Sequence, residues 1–315
     1  MSATNRIGKS INISGIGDPY VLKCKEGKYA GRYFLYATSS ECGFKVWSSS
    51  DLAAWKEHGL CFRREESSWC IDSFWAPACI EYNGAYYMYY SANWSNNPEN
   101  EAENFRIGVA KSGSPLGPFR DIVNHPMFDC GFPVIDADVF LDDDGKKYLT
   151  CSRCCYKNRI GDFEESHIYG AELNDDMISL KSDLVLLLKP EQDWENWSIR
   201  TGRRWNEGNY LFKHNGIYYL MFSANYYADK EYAIGYATGT SPLGPYRKYE
   251  NNPVLMHDYP HFSGPGHNSM VRSPDDKEWF MVYHAHSNPQ KGGADRKVCM
   301  NRITFSIEGN LKVER

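Results

Sequence analysis

The chain has 315 residues, room for one large domain or two ordinary ones, with a formal net charge of −5 and 15% aromatic residues. That balance gives no basic footprint for nucleic acid and no polybasic membrane patch, and no apolar run is long enough to span a bilayer. The first ten residues lack the apolar stretch of a secretory leader, and ten Cys without a small disulfide scaffold suit a reducing compartment, so a cytoplasmic location is expected.

In chain order, the first unit opens at Gly17-Asp18-Pro19-Tyr20-Val21 and runs through Tyr33-Phe34-Leu35-Tyr36 to Trp55. A second opens at Trp75-Ala76-Pro77, passes Tyr86 to Tyr90, and closes on Ser114-Pro115-Leu116-Gly117-Pro118-Phe119. The third begins at Ile135-Asp136-Ala137-Asp138 and continues through Tyr148-Leu149 to Ala171. The fourth begins at Asn206-Glu207-Gly208, passes Tyr218 to Phe222, and repeats the Ser-Pro-Leu-Gly-Pro-aromatic turn at Ser241. The fifth opens at Gly264-Pro265-Gly266-His267-Asn268-Ser269 and ends near Phe305. Hairpin signals fall between strands at Asn83-Gly84, Asp144-Gly145, Asn215-Gly216 and Glu308-Gly309. Long helical periodicity is absent, so the pattern predicts an all-β, five-bladed β-propeller occupying residues 1–315 as a single catalytic domain. The polar stretch Asn93–Asn104 reads as an insertion loop.

In a propeller the innermost strand of each blade lines the central channel, so polar groups near its start meet at one mouth. Asp18, Asp136 and Glu207 are expected at equivalent positions in blades one, three and four, and convergent carboxylates are the machinery of glycosidic bond cleavage. Several residues keep two readings. Asp138 competes with Asp136, because strand alternation puts both on one face. Asp142-Asp143-Asp144-Gly145 lacks the spacing of a calcium loop and reads as a hairpin turn. His267 can hold a metal or water in the channel, or hydrogen-bond a catalytic acid. His284-Ala285-His286 is a possible metal pair or strand packing; Cys151-Ser152-Arg153-Cys154 lacks a second pair for zinc. Trp75 is a core anchor or a sugar-stacking wall, and Arg296 a surface charge or a partner for sugar hydroxyls and the acids.

These motifs, in this order, resemble glycoside hydrolase family 43, five-bladed propeller enzymes acting on arabinose- and xylose-containing glycans. The resemblance runs from Asp18 to about Ile303. It implies Asp18 as general base, Glu207 as general acid and Asp136 as the carboxylate that tunes the acid, which favours Asp136 over Asp138. It further implies a channel ion, often calcium, near His267, and a sugar contact for Arg296; Trp75 and His267 join the substrate-binding set. The expected activity is inverting, exo-acting release of β-D-xylose or α-L-arabinofuranose from xylo- or arabino-oligosaccharides. Inversion calls for the base and acid to stand roughly 6.5–9.5 Å apart. An endo-acting arabinanase and a non-catalytic sugar-binding propeller are the alternatives. Family members that act on xylosides often carry a further β-sandwich; without one, the loops Asn93–Asn104 and Asp193–Arg204 are the expected source of closure.

Overall fold

The computed structural model describes residues 8–198 and 202–314. Five sheets form the blades of a β-propeller. Blade one comprises Gly17–Lys23, Tyr33–Ser40, Gly43–Ser49 and Lys56–Arg63, from axis to rim. Blade two comprises Trp75–Tyr82, Ala85–Asn93, Phe105–Ser112 and Arg120–Asp121. Blade three comprises Val134–Leu141, Lys147–Arg153, His167–Leu173 and Val185–Leu188, and blade four Asn206–His214, Ile217–Ala224, Ala233–Gly239 and Tyr246–Lys248. Blade five begins with Gly266–Arg272, Trp279–His286 and Arg296–Phe305, and its outer strand is Ser10–Ser14 from the other end of the chain. That strand, and the outer strands of blades one, two and three, lie outside the units read from the sequence.

The aromatic richness is explained by packing between blades. Five buried apolar clusters occupy the five blade-to-blade contacts. In Tyr33-Phe34-Leu35-Tyr36 every residue is fully buried, because the strand alternates between two cores: Phe34 and Tyr36 face blade two, Tyr33 and Leu35 face blade five. Turn chemistry follows the sequence signals. Asn83-Gly84 and Asn215-Gly216 each hold two successive positive φ angles, as a two-residue hairpin requires. Asp142–Gly145 is a hairpin turn, with Asp142 held by Lys213 and Tyr218.

Each inner strand carries the same bulge. Its pairing skips two residues, at Gly17/Tyr20, Trp75/Ala78, Ile135/Asp138, Glu207/Tyr210 and Gly266/Ser269. The first skipped residue has positive φ in all five blades: Asp18 (54°), Ala76 (47°), Asp136 (58°), Gly208 (59°) and His267 (47°). Such bulges re-aim side chains and gather next to functional sites. Two expectations are corrected here. Glu207 is one residue out of step with Asp18 and Asp136, since the position equivalent to theirs in blade four is Gly208. The bulge also breaks the alternation that put Asp136 and Asp138 on one face.

Candidate active site

A ring of hydrogen bonds knits the bulges together. The residue opposite the start of each inner strand is Thr38, Ser91, Ser152, Ser223 or His284. Thr38 Oγ1 accepts the Ala76 N–H (2.9 Å), Ser91 Oγ that of Asp136 (2.9 Å) and Ser223 Oγ that of His267 (2.8 Å). Between blades five and one the acceptor is His284 Nδ1, which takes the Asp18 N–H at 3.1 Å. The seam between blades three and four departs from the pattern: the Gly208 N–H donates instead to Asp136 Oδ2 at 2.8 Å. Strained positions persist only where their surroundings over-determine them, and this ring supplies that support.

At one mouth of the channel lies a cavity of about 410 Å³ bordered by Asp18, Asp136, Glu207, Trp75, His267 and Arg296. Every residue nominated from the sequence as catalytic or substrate-binding is therefore brought to one place. Asp138 is not; it borders a separate cavity at the opposite mouth.

Asp18 is the electrostatic centre. Arg296 Nη1 donates to its Oδ1 at 2.9 Å, Thr38 Oγ1 donates to its Oδ2 at 2.6 Å, and His267 Nδ1 lies 3.4 Å from Oδ1. Burial is the strongest single influence and opposes ionisation, yet Arg296 and His267 outweigh it and hold the carboxyl well below its usual range. Gly17 makes this contact possible: a Cβ there would run into the Arg296 guanidinium. Glu207 is pushed the other way. Burial comes first and the neighbouring Asp136 carboxylate second, and together they raise it well above the ordinary glutamate range. Like-charge repulsion from Asp136 is the smaller of the two. Burial also raises Asp136.

Several contributors were not nominated from sequence. Tyr232 donates to Glu207 Oε1 at 2.9 Å and stacks on His284, with ring centroids 5.7 Å apart and planes 6° from parallel. Trp205, Tyr226 and Tyr227 add aromatic walls, and Cys154 and Cys155 line the cavity as buried thiols whose titration burial pushes upward. Trp75 is half-buried beside Phe105 (centroids 4.6 Å), with its remaining surface on the cavity. The two loops flagged for closure meet there: Glu103 pairs with Arg203 at 2.7 Å, and Arg203 also pairs with Glu164 at 3.0 Å. Part of the second loop, 199–201, lies outside the described residues.

The two histidines of His284-Ala285-His286 have separate surroundings. His284 is fully buried and is pushed down to about 3 by burial and by Arg296. His286 instead hydrogen-bonds Ser263 and the Tyr227 carbonyl. Among the described residues, no group of three or more His, Cys, Asp or Glu side chains is placed to hold a metal ion. His267 offers one imidazole beside Asp18, far short of the oxygen-rich shell calcium takes, so no step below involves an ion.

A propeller whose channel mouth gathers three carboxyl groups, one buried and two half-buried, with two of them driven apart in acidity, has the site of a glycoside hydrolase. The comparisons with known proteins give the family. The sequence pattern of "Glycosyl hydrolases family 43" matches residues 16–311, and the chain belongs to that family. It is 30% identical to the beta-D-galactofuranosidase xynD of Aspergillus niger, over 90% of this chain and 79% of that protein. It is 32% identical to xylosidase/arabinosidase 43A of Humicola insolens, over 82% and 80%. Among solved structures, a thermostable family-43 glycoside hydrolase superposes with a TM-score of 0.88 at 44% identity, covering 99% of this chain and 96% of that one.

Proposed function

We infer that this chain is an inverting, exo-acting glycosidase that releases β-D-xylose or α-L-arabinofuranose from the ends of xylo- or arabino-oligosaccharides. The observation that carries the reading is the opposed acidity of Asp18 and Glu207 on one cavity. Asp18, kept ionised by Arg296 and His267, takes a proton from water as its oxygen attacks the anomeric carbon. Glu207, kept protonated, delivers its proton to the glycosidic oxygen as that bond breaks. Asp136 holds the Gly208 N–H and, as an anion, keeps the acid protonated until the leaving oxygen needs it. After one turnover Asp18 carries the proton that Glu207 has lost, and exchange with solvent resets both. Trp75 and Arg296 are assigned to the sugar.

Exo-action is supported by the wall that Glu103 and Arg203 build across one side of the cavity. One observation favours endo-action. A second hollow of about 600 Å³, bordered by Ser39, Ser40, Glu41, Asp72 and Ser73, continues from Thr38, Trp75 and Arg296.

The test is initial rates on aryl β-D-xyloside and aryl α-L-arabinofuranoside, with aryl β-D-galactofuranoside added because of the Aspergillus niger relative. Release from one or more supports exo-action, and the kcat/KM ratios assign the pocket. Silence on all three, with internal cleavage of a linear oligosaccharide, would replace it with the endo reading.

A further inference from the structure

We propose that Tyr232 is a positioning residue for the general acid: its hydroxyl fixes which oxygen of Glu207 carries the transferable proton. The proposal rests on the assignment of Glu207 made above.

Tyr232 is 1% exposed, and among the described residues its hydroxyl has one partner, Glu207 Oε1 at 2.9 Å. A buried O–H without an acceptor loses its hydration with nothing in return, so the phenolic hydrogen points at Oε1. A protonated carboxyl has one O–H oxygen and one acceptor oxygen. With Oε1 committed as acceptor, the proton resides on Oε2, which has no hydrogen-bond partner among the described residues. The acid is thereby presented with its proton on the oxygen left free for substrate. During cleavage the Oε2–H bond breaks, the proton passes to the departing glycosidic oxygen, and the carboxylate left behind keeps the Tyr232 hydrogen bond on Oε1. That bond is stronger to the anion than to the neutral acid, so it also assists proton departure.

The phenol is held on a built platform. Its ring lies offset and nearly parallel over His284, and a Cβ at Gly266 would collide with it, so the glycine clears its slot. His284 is itself fixed by accepting the Asp18 N–H. One stack therefore supports the backbone of the base and the orientation of the acid, which joins the two halves of the reaction without touching the sugar.

The experiment compares Tyr232→Phe with wild type on two glycosides of whichever sugar the wild type hydrolyses. One has a dinitrophenyl leaving group, which departs with little protonation; the other has an alkyl leaving group, which needs the acid. Loss of one hydrogen bond to a developing carboxylate is expected to lower kcat on the alkyl glycoside roughly ten-fold and to leave the dinitrophenyl glycoside within about two-fold. The alkaline limb of the pH profile should move upward, because a contact favouring ionised Glu207 has gone. Equal losses on both substrates, or no loss on either, overturn the proposal. Glu207→Gln run alongside separates the two levels: it must show the same split more strongly, and if it does not, the acid assignment fails as well. If Tyr232→Phe does not fold, 3-fluorotyrosine at position 232 keeps the shape and strengthens the donor. The alkaline limb must then move downward, and an unmoved limb overturns the proposal.

Discussion

The two mouths of the channel hold similar residues to different effect. The far mouth has the roomier cavity, about 680 Å³ against about 410 Å³, and it too is bordered by carboxylates, cations and aromatic rings. Its charges pair off locally and outward: Lys23 with Asp276 at 2.7 Å, Lys213 with Asp142 and Asp143 at 2.9 Å. At the mouth that holds Asp18 and Glu207 they converge inward, with Arg296 and His267 both turned on Asp18. Volume does not distinguish a site from a hollow; convergence of charge on buried groups does.

The sharpest way to break this contrast is to remove the converging acids. Asp18→Asn and Glu207→Gln should each lower kcat by about 10²–10⁴ in variants that stay folded, the range that positioned acid–base groups supply, with Asp18→Asn also lowering Tm because Arg296 loses its carboxylate partner. An active variant at either position would dissolve the distinction between the mouths. Arg296→Met should cost about 10–100-fold in kcat/KM, with the acidic limb of the pH profile moving upward as Asp18 loses its foremost counter-charge. An unmoved limb would mean that Arg296 serves the sugar alone.

The third prediction concerns the far mouth and has the opposite sign. Burial pushes Asp138 up to about 7; among the described residues its Oδ1 has no hydrogen-bond partner, while Oδ2 accepts the Leu211 N–H. Its folded value lies above the unfolded one, so the native state binds the extra proton. Stability therefore declines as pH rises from about 4 to 7. Asp18, whose folded value is depressed, stabilises the fold above about 4 and loses that contribution as pH falls through its folded value. Asp138→Asn should then raise stability at pH 8 by roughly 1–3 kcal/mol and flatten the decline, read by denaturant melts at several pH values. A variant less stable than wild type at pH 8 would show that the anion is matched by contacts the buried geometry does not display. Smallest is Glu103→Gln, which weakens the wall pair with Arg203. It should change KM by about two- to five-fold with kcat nearly constant, as befits a partly exposed ion pair.

The blade count was legible because the Ser-Pro-Leu-Gly-Pro turns at Ser114 and Ser241 and the Asn-Gly hairpins are local chemistry. Asp18 and Asp136 were legible for the same reason. Glu207 was found, but its offset was not, since a bulge is a property of two paired strands and leaves no mark on either alone. Thr38 was missed and His284 weighed only as a metal ligand or strand packing because both sit on neighbouring strands, reached through register; Tyr232, just before the strand Ala233–Gly239, was missed as well. Counting across each hairpin from the acidic motif would have exposed Thr38 and Ser223, opposite Gly17 and Glu207. Nothing comparable was available for Glu103, which comes from an irregular loop, or for Arg203, on a two-residue strand outside the blades that pairs with Phe163–Glu165. The pairing of Ser10–Ser14 with residues nearly the whole chain away has no local signature at all.

That last pairing bears on how the protein is made. Ser10–Ser14 precedes the first four blades along the chain, yet its partner, Arg296–Phe305, follows all of them. Ile11 and Ile13, buried in the finished molecule, must wait through the synthesis of four blades before the blade-five half of their apolar cluster exists. Because Gly15 and Ile16 donate their N–H groups to the Arg296 carbonyl, docking of this strand also seats the guanidinium that faces Asp18. A chain can own four finished blades and still lack the cation that Asp18 needs, and activity should appear only once this strand has docked.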